Sequence, residues 1–219
     1  VAGAAAVGWW QRNNIARSFI SRPKDDMPTV TDALLPDAEV CQLTAEQAEG
    51  PFFIQSPLRS DIREDRQGIS LDLQLQIVRG DGCTPLEGAL VDVWQANHHG
   101  RYSHPEDPNT APLDPNFQGW ALMETDANGH YGFKTIKPGA YPLSFLGEEG
   151  WRCRHIHFQV SRAGSKQLTT QMYFHGDPLI EQDLEIAKAP AALRHTLIAH
   201  ATEDAATRLP LYQFDIVLG

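Results

Sequence analysis

Cations are in short supply in this chain of 219 residues: 18 Lys and Arg stand against 28 Asp and Glu, a formal charge of −10. That balance disfavours nonspecific nucleic-acid binding, whose affinity comes from cations facing phosphates, and it disfavours an anionic membrane surface as partner. Cysteine is also scarce. Cys41, Cys83 and Cys153 form no CxxC pair, which argues against a zinc knuckle. The apolar run Val1–Trp10 (VAGAAAVGWW) is ten residues long; a membrane span needs about 20. No internal repeat or low-complexity tract is visible, and no stretch is both charge-dense and poor in large apolar residues, so disorder is not expected. What is present is ordinary for a folded domain: 42% hydrophobic residues, with 15 Pro and 17 Gly signalling many turns. The length suits one domain with a short appendage.

Residues 1–40 read as an irregular N-terminal arm, mixing polar turns with short apolar patches and no sustained period. The run Val1–Trp10 reads either as the remnant of an export signal or anchor, or as a small helix packing on its own domain or a neighbouring subunit. Cys41 and Cys83 occupy loop positions where an oxidising compartment would allow them to pair. The alternative is free thiols in a cytoplasmic protein. Beside the apolar N-terminus, a Cys41–Cys83 bridge and export are favoured, with Cys153 unpaired.

From Ile69 the hydrophobic period is two: Ile69, Leu71, Leu73, Leu75 and Ile77 alternate with polar residues, the pattern of a strand with one buried face. Further strands are expected at Ala89–Gln95, Ala121–Thr125, His130–Ile136, His155–Val160, Leu168–Phe174 and Tyr212–Leu218. Asn128-Gly129 predicts a hairpin between Ala121–Thr125 and His130–Ile136. Helical signals are confined to a capped turn at Thr44–Gln47, to Leu179–Lys188, and to Pro190–Asp204. Short strands, long loops and few helices predict a mainly β protein with an antiparallel β-sandwich core over residues 41–219. The loop Gly100–Gly119 is long, and such loops are often functional.

The sharpest chemical feature is Trp151-Arg152-Cys153-Arg154-His155-Ile156-His157-Phe158. Residues two apart on a strand share a face, so His155 and His157 could present two imidazoles to one ion. Alone, this pattern also fits an ordinary polar face. Tyr102 and Tyr141 lie in loops beside small residues, and each alone reads equally well as a packed aromatic with a bonded hydroxyl.

Seven ordered segments settle the reading: Glu49-Gly50-Pro51-Phe52, VDVWQANHHGRY (91–102), APLDPNF (111–117), TIKPGAYP (135–142), WRCRHIHF (151–158), TQMYFHGDPLI (170–180) and YQFDIVL (212–218). From about residue 44 onward the chain resembles the intradiol ring-cleavage dioxygenases, nearest to the β subunits of protocatechuate 3,4-dioxygenase. The resemblance implies a β-sandwich and a non-haem Fe(III) held by Tyr102, Tyr141, His155 and His157 with a solvent hydroxide. It implies cleavage of a catechol-type ring by O2 between the two hydroxylated carbons, giving a cis,cis-muconate-type diacid. Tyr141 would leave the metal and take a substrate proton, Arg152 would stabilise negative charge on the ring, and Gln171 would position the intermediate. Two phenolates and one hydroxide neutralise a trivalent ion, and a neutral site is far cheaper to bury than a charged one.

Arg152 carries a geometric condition. Strand alternation extended back from the histidines points it away from them, so its role requires the strand to begin after it, near Arg154. Otherwise it is a surface ion-pairing residue, and Gln171 an unremarkable strand residue. Leu143 stands where the similar β subunits carry tryptophan, and Phe52, Phe53 and Leu143 make an apolar pocket suited to a plain or alkyl catechol. Those β subunits also complete their pocket with a second kind of chain. The expected partners are therefore a catechol-type substrate and O2, without nucleic acid; homo-oligomerisation and membrane anchoring through the N-terminus stay open. The competing reading is a noncatalytic β-sandwich binding module that keeps the fold.

Overall fold

Alternation in the sequence becomes strand almost residue for residue. The computed structural model describes residues 41–63, 66–203 and 209–219, and the expectations for the arm at 1–40 lie outside the described residues. Eleven strands follow in order: β1 (Ser70–Arg79), β2 (Thr84–Pro85), β3 (Leu90–Trp94), β4 (Trp120–Glu124), β5 (His130–Ile136), β6 (Tyr141–Pro142), β7 (Trp151–Arg152), β8 (His155–Arg162), β9 (Ser165–Phe174), β10 (Ile198–Glu203) and β11 (Pro210–Leu218). One short helix, α1 (Leu184–Lys188), and 3₁₀ turns at Leu143–Leu146, Ile180–Gln182 and Ala191–Leu197 complete the described elements.

Nine strands form one curled sheet in the order β2-β1-β11-β10-β9-β8-β3-β4, with β5 also on β1. β10 joins the halves, antiparallel to β11 and parallel to β9. Curling brings two apolar faces together. Leu71, Leu73, Leu75, Ile77 and Phe133 come from one half and Val91, Val93, Ile156, Phe158, Val160 and Met172 from the other. Phe158 and Phe214 meet with ring centroids 5.5 Å apart. Each such buried side chain contributes about 1.5–3 kcal/mol. The β-sandwich expectation holds, and within it the pairings β1–β11 and β9–β10 run parallel.

Three local expectations are corrected. Asn128-Gly129 makes a tight turn but no hairpin, because β4 pairs with β3 and β5 pairs with β1. The Ile77 N–H donates to the Gly129 carbonyl at 2.8 Å, and Gly129 takes a left-handed φ of 71°. The turn reverses the chain, while partner choice follows burial: Tyr131 and Phe133 lie opposite Leu75 and Leu73. Thr44–Gln47 is extended rather than helical. Its hydrogen-bonding groups are taken up by the sheet: Thr44 N–H donates to Val217 O at 3.0 Å, Val217 N–H to Thr44 Oγ1 at 2.8 Å, and Gln47 N–H to Thr169 O at 2.9 Å. Pro190–Asp204 divides into the 3₁₀ turn Ala191–Leu197 and strand β10. Tertiary pairing on both edges overrides helix propensity there, while Asp204 lies outside the described residues.

Cys41 and Cys83 form a disulfide with Cα atoms 5.6 Å apart, and Cys153 is buried and free. The bridge ties the extended segment 41–50 to the β1–β2 turn across 42 residues of sequence. A loop of that size predicts that Cys41→Ser lowers unfolding free energy by about 2–4 kcal/mol in urea titration. Non-reducing mass analysis should find one free thiol; three would overturn the bridge. Among the described residues, no helix is long and apolar enough to cross a membrane.

Candidate metal centre

His155 and His157 lie on β8 and point to one face, as the His-x-His spacing requires. The β8–β9 register sets Gln171 opposite His157 and Tyr173 opposite His155, and β3 sets Trp94 opposite His157. Trp94 is buried core, and its ring stacks on the His157 imidazole at 4.8 Å with an interplanar angle of 10°. Gly50, with a left-handed φ of 75°, lies beside the His157 ring: a Cβ there would make ordinary contact with Cε1 at 3.5 Å, so it is the backbone conformation rather than space that calls for glycine.

Two loops deliver the tyrosines. Tyr102 follows β3, and its N–H donates to Asp107 Oδ2 at 2.7 Å. Asp107 Oδ1 accepts from the Asn109 N–H at 2.8 Å, and Asn109 Nδ2 returns to the Gly100 carbonyl at 2.8 Å. This buried Asp–Asn clasp gives the long loop its shape. Gly100, with φ 83°, packs so closely on the Ala140 carbonyl that any Cβ would clash. The glycine therefore permits the two tyrosine loops to touch. Tyr141 is held by β6, which pairs with β7 so that Tyr141 lies opposite Arg152.

The four predicted ligand residues converge. The Tyr102 hydroxyl lies 3.2 Å from His155 Nε2 and 3.1 Å from His157 Nε2. The Tyr141 ring centroid lies 5.9 Å from that of Tyr102 and 5.7 Å from that of His155. All four side chains are buried. His155 Nδ1 donates to the Cys153 carbonyl at 2.7 Å, which leaves Nε2 with its lone pair directed at the Tyr102 hydroxyl.

Burial drives the Tyr102 and Tyr141 hydroxyls above their ordinary acidity range; Tyr141 adds to the rise at Tyr102, and Arg152 opposes it at both. Burial, then Arg152, holds both imidazoles well below the usual histidine range. Without a cation the four donors are neutral. Two neutral imidazoles need lose no proton to bind a metal, and a hard, highly charged cation would favour the phenolate form of the tyrosines. Two hard oxygens, two imidazole nitrogens and a dry enclosure fit a ferric ion. No cluster of three or more His, Cys, Asp or Glu competes for a metal among the described residues.

The geometric condition on Arg152 is met: β7 ends at Arg152 and β8 begins at His155, so alternation does not extend between them. Arg152 is buried. Its Nη2 donates to Gln171 Oε1 at 2.6 Å and to the Tyr173 hydroxyl at 3.4 Å, and its Nε to Asp183 at 3.0 and 3.2 Å. Gln171 Nε2 donates to the Ala48 carbonyl at 2.7 Å, and the Tyr173 hydroxyl to Gln47 Oε1 at 2.9 Å. Sequence reasoning missed Gln47, Tyr173, Asp177 and Asp183. Asp183 lay inside the expected helical stretch Leu179–Lys188, which the structure divides into the 3₁₀ turn Ile180–Gln182 and α1 with Asp183 as its N-cap; the others had no signal beyond lying in or near the quoted segments. Phe52, Trp94, Tyr102, Tyr141 and Leu143 form one buried cluster, with Phe53 and Phe145 packed against it. An open groove of about 430 Å³ lies away from all these groups, lined by Leu58, Leu122, Met123 and Tyr131.

Residues 48–219 match the family model described as Dioxygenase. The chain is 47% identical over 145 residues to the protocatechuate 3,4-dioxygenase beta chain of Burkholderia cepacia, covering 64% of this chain and 61% of that one. It is 35% identical over 176 residues to catechol 1,2-dioxygenase 1 of Acinetobacter lwoffii, covering 73% and 54%. The matches thus span less than two thirds of these relatives' own length. The solved intradiol ring-cleavage dioxygenase of Tetranychus urticae superposes with a TM-score of 0.61 at 26% identity, over 82% of this chain and 95% of that one. With the β-sandwich, the ordered motifs and a family match over most of its length, this chain belongs to the intradiol dioxygenase family.

Proposed function

We propose that residues 41–219 form an Fe(III)-dependent catalytic domain that cleaves a catechol-type ring between its hydroxylated carbons. Both atoms of O2 enter the product, a cis,cis-muconate-type diacid. Tyr102, Tyr141, His155 and His157 would hold the iron, which when bound supplies the positive charge that ionises the tyrosines and activates the chelated ring. The observation carrying this reading is the approach of the Tyr102 hydroxyl to both His155 and His157 Nε2, at 3.2 and 3.1 Å.

The chain's own residues do the rest. Tyr141, ionised when the site is loaded, accepts one catechol proton at its phenolate oxygen as the substrate enters. Arg152 supports negative charge that develops on the ring; preorganised donors of this kind contribute a few kcal/mol each. Gln171, its amide oxygen already engaged by Arg152, orients the reacting intermediate. Phe52, Phe53 and Leu143 keep water out and favour a plain or alkyl-substituted ring.

Iron-loaded protein should be red-brown from tyrosinate-to-Fe(III) charge transfer, and anaerobic catechol should shift the band. Oxygen uptake across a panel of catechols should then give ring-opened diacids. Iron-replete protein that stays colourless and consumes no oxygen would defeat the proposal.

A further inference from the structure

Two aspartates from one short stretch, Asp177 and Asp183, clamp the connector Arg152–Arg154 that separates β7 from β8. Asp177 Oδ2 accepts from Arg154 Nη1 at 3.1 Å and from its N–H at 3.3 Å. Asp183 does more. Its carboxylate has no solvent exposure. Oδ1 accepts from Arg152 Nε at 3.2 Å, from the Glu185 N–H at 2.8 Å and from the Ile186 N–H at 3.4 Å. Oδ2 accepts from Arg152 Nε at 3.0 Å and from the Cys153 N–H at 2.8 Å. The Cys153 carbonyl in turn receives His155 Nδ1–H at 2.7 Å. One carboxylate therefore grips the guanidinium by its Nε edge, the peptide behind His155, and the first turn of α1. Gln171 and Tyr173 occupy Nη2. None of these hydrogen bonds uses Arg152 Nη1.

We propose that Asp183 is a positioning residue for ring cleavage: it fixes the pose in which Arg152 presents Nη1 to the charge developing on the substrate ring. This rests on the dioxygenase reading above. Asp183 does not touch substrate; it acts through Arg152. A flexible arginine would have to be ordered during the reaction, whereas a guanidinium held by its other edges is already in place. A purely structural capping role makes a different prediction, because asparagine caps a helix as well as aspartate does. Both oxygens of Asp183 face donors. An asparagine that keeps its oxygen on the cap retains only the longer 3.2 Å contact to Arg152 Nε; its NH2 then faces Cys153 N–H and the nearer side of Arg152 Nε–H, donors that it cannot accept from, and the negative charge that held the guanidinium is gone. Asp183→Asn therefore spares the cap and loosens the grip on the arginine.

The test is a double-mutant cycle in the iron-loaded protein, using Asp183→Asn, Arg152→Gln and the pair, with catechol oxygen uptake as the assay. Asp183→Asn should lower kcat by roughly 10- to 100-fold, the cost of a misplaced catalytic group. KM should change less, and the visible band of the resting protein should persist. The double variant should be no slower than Arg152→Gln alone, because contributions through a shared group do not add. A second readout needs no iron: in ¹⁵N NMR of the metal-free protein, the Arg152 Nε–H resonance, assigned by its loss in Arg152→Gln, should be protected from solvent exchange. In Asp183→Asn that protection should fall clearly. Unchanged kcat, losses that multiply in the double variant, or undiminished Nε–H protection would each overturn the positioning role. Wild-type protein that binds iron but consumes no oxygen with any catechol would instead overturn the underlying reaction. If Asp183→Asn does not fold, Asp183→Ser, which also retains a capping oxygen, enters the same cycle.

Discussion

Tyr102→Phe is expected to strip the protein of tightly held iron, bleach most of its visible band and cut catechol-dependent oxygen uptake. Changes to groups that merely support metal ligands already cost roughly 10- to 100-fold in affinity or activity, so loss of a ligand should exceed that. The substitution is a clean one. The ring that packs 4.9 Å from Phe52 and 5.9 Å from Tyr141, centroid to centroid, is retained. Only the hydroxyl shared between the two histidine Nε2 atoms disappears. The metal-free protein should stay folded, losing about 1–3 kcal/mol for the buried imidazole nitrogens that the hydroxyl had partnered, and iron content, colour and uptake should fall together. A Tyr102→Phe protein that purifies with a full equivalent of iron and wild-type uptake would remove Tyr102 from the ligand set.

Asp177→Ala should be the costliest single change to the fold. Arg154 is buried to 1% exposure, and its ion pair with Asp177 has both side chains out of solvent. Taking one partner from a buried pair strips its charge of part of its compensation, at up to about 3–5 kcal/mol. Asp177 Oδ1 also accepts the Leu179 N–H at 2.9 Å, so a turn is loosened as well. Urea titration reads the loss directly. The exposed pair Lys166–Glu49, at 3.5 Å with both side chains well solvated, supplies the contrast: Lys166→Ala should cost no more than about 1 kcal/mol. Equal, small effects in the two variants would mean that the Asp177–Arg154 pair does not stabilise the connector. Because Arg154 adjoins His155, Asp177→Ala should also weaken iron retention.

Local spacing made the histidine pair legible, and the resemblance of the ordered motifs supplied the other candidate residues. His155 and His157 must share a face of any strand that contains them, and Tyr102 and Tyr141 sit in loops rich in small residues. Gln171 reads as an ordinary strand residue until the β8–β9 register places it opposite His157. Asp183 lies 31 residues from Arg152, Gln47 lies 126 from Tyr173, and Ala48 lies 123 from Gln171; no short-range pattern encodes such contacts. The failed helix expectations have the same origin. Thr44–Gln47 and the chain after Pro190 carry helix-compatible residues, but sheet edges offer their backbone groups better partners.

The amino-acid sequence by itself determined most of the strands and turns, because side-chain period and turn chemistry act over a few residues; it was the resemblance of its ordered motifs that singled out Tyr102, Tyr141, His155 and His157 as candidate ligands. Only the tertiary structure decided that the Asn128-Gly129 turn crosses between half-sheets, that β10 closes the curl, and that Arg152 is buried against Gln171 and Asp183. Those outcomes depend on which apolar faces can be buried together and which distant carboxylates can satisfy a buried guanidinium, and that balance is struck across the whole domain.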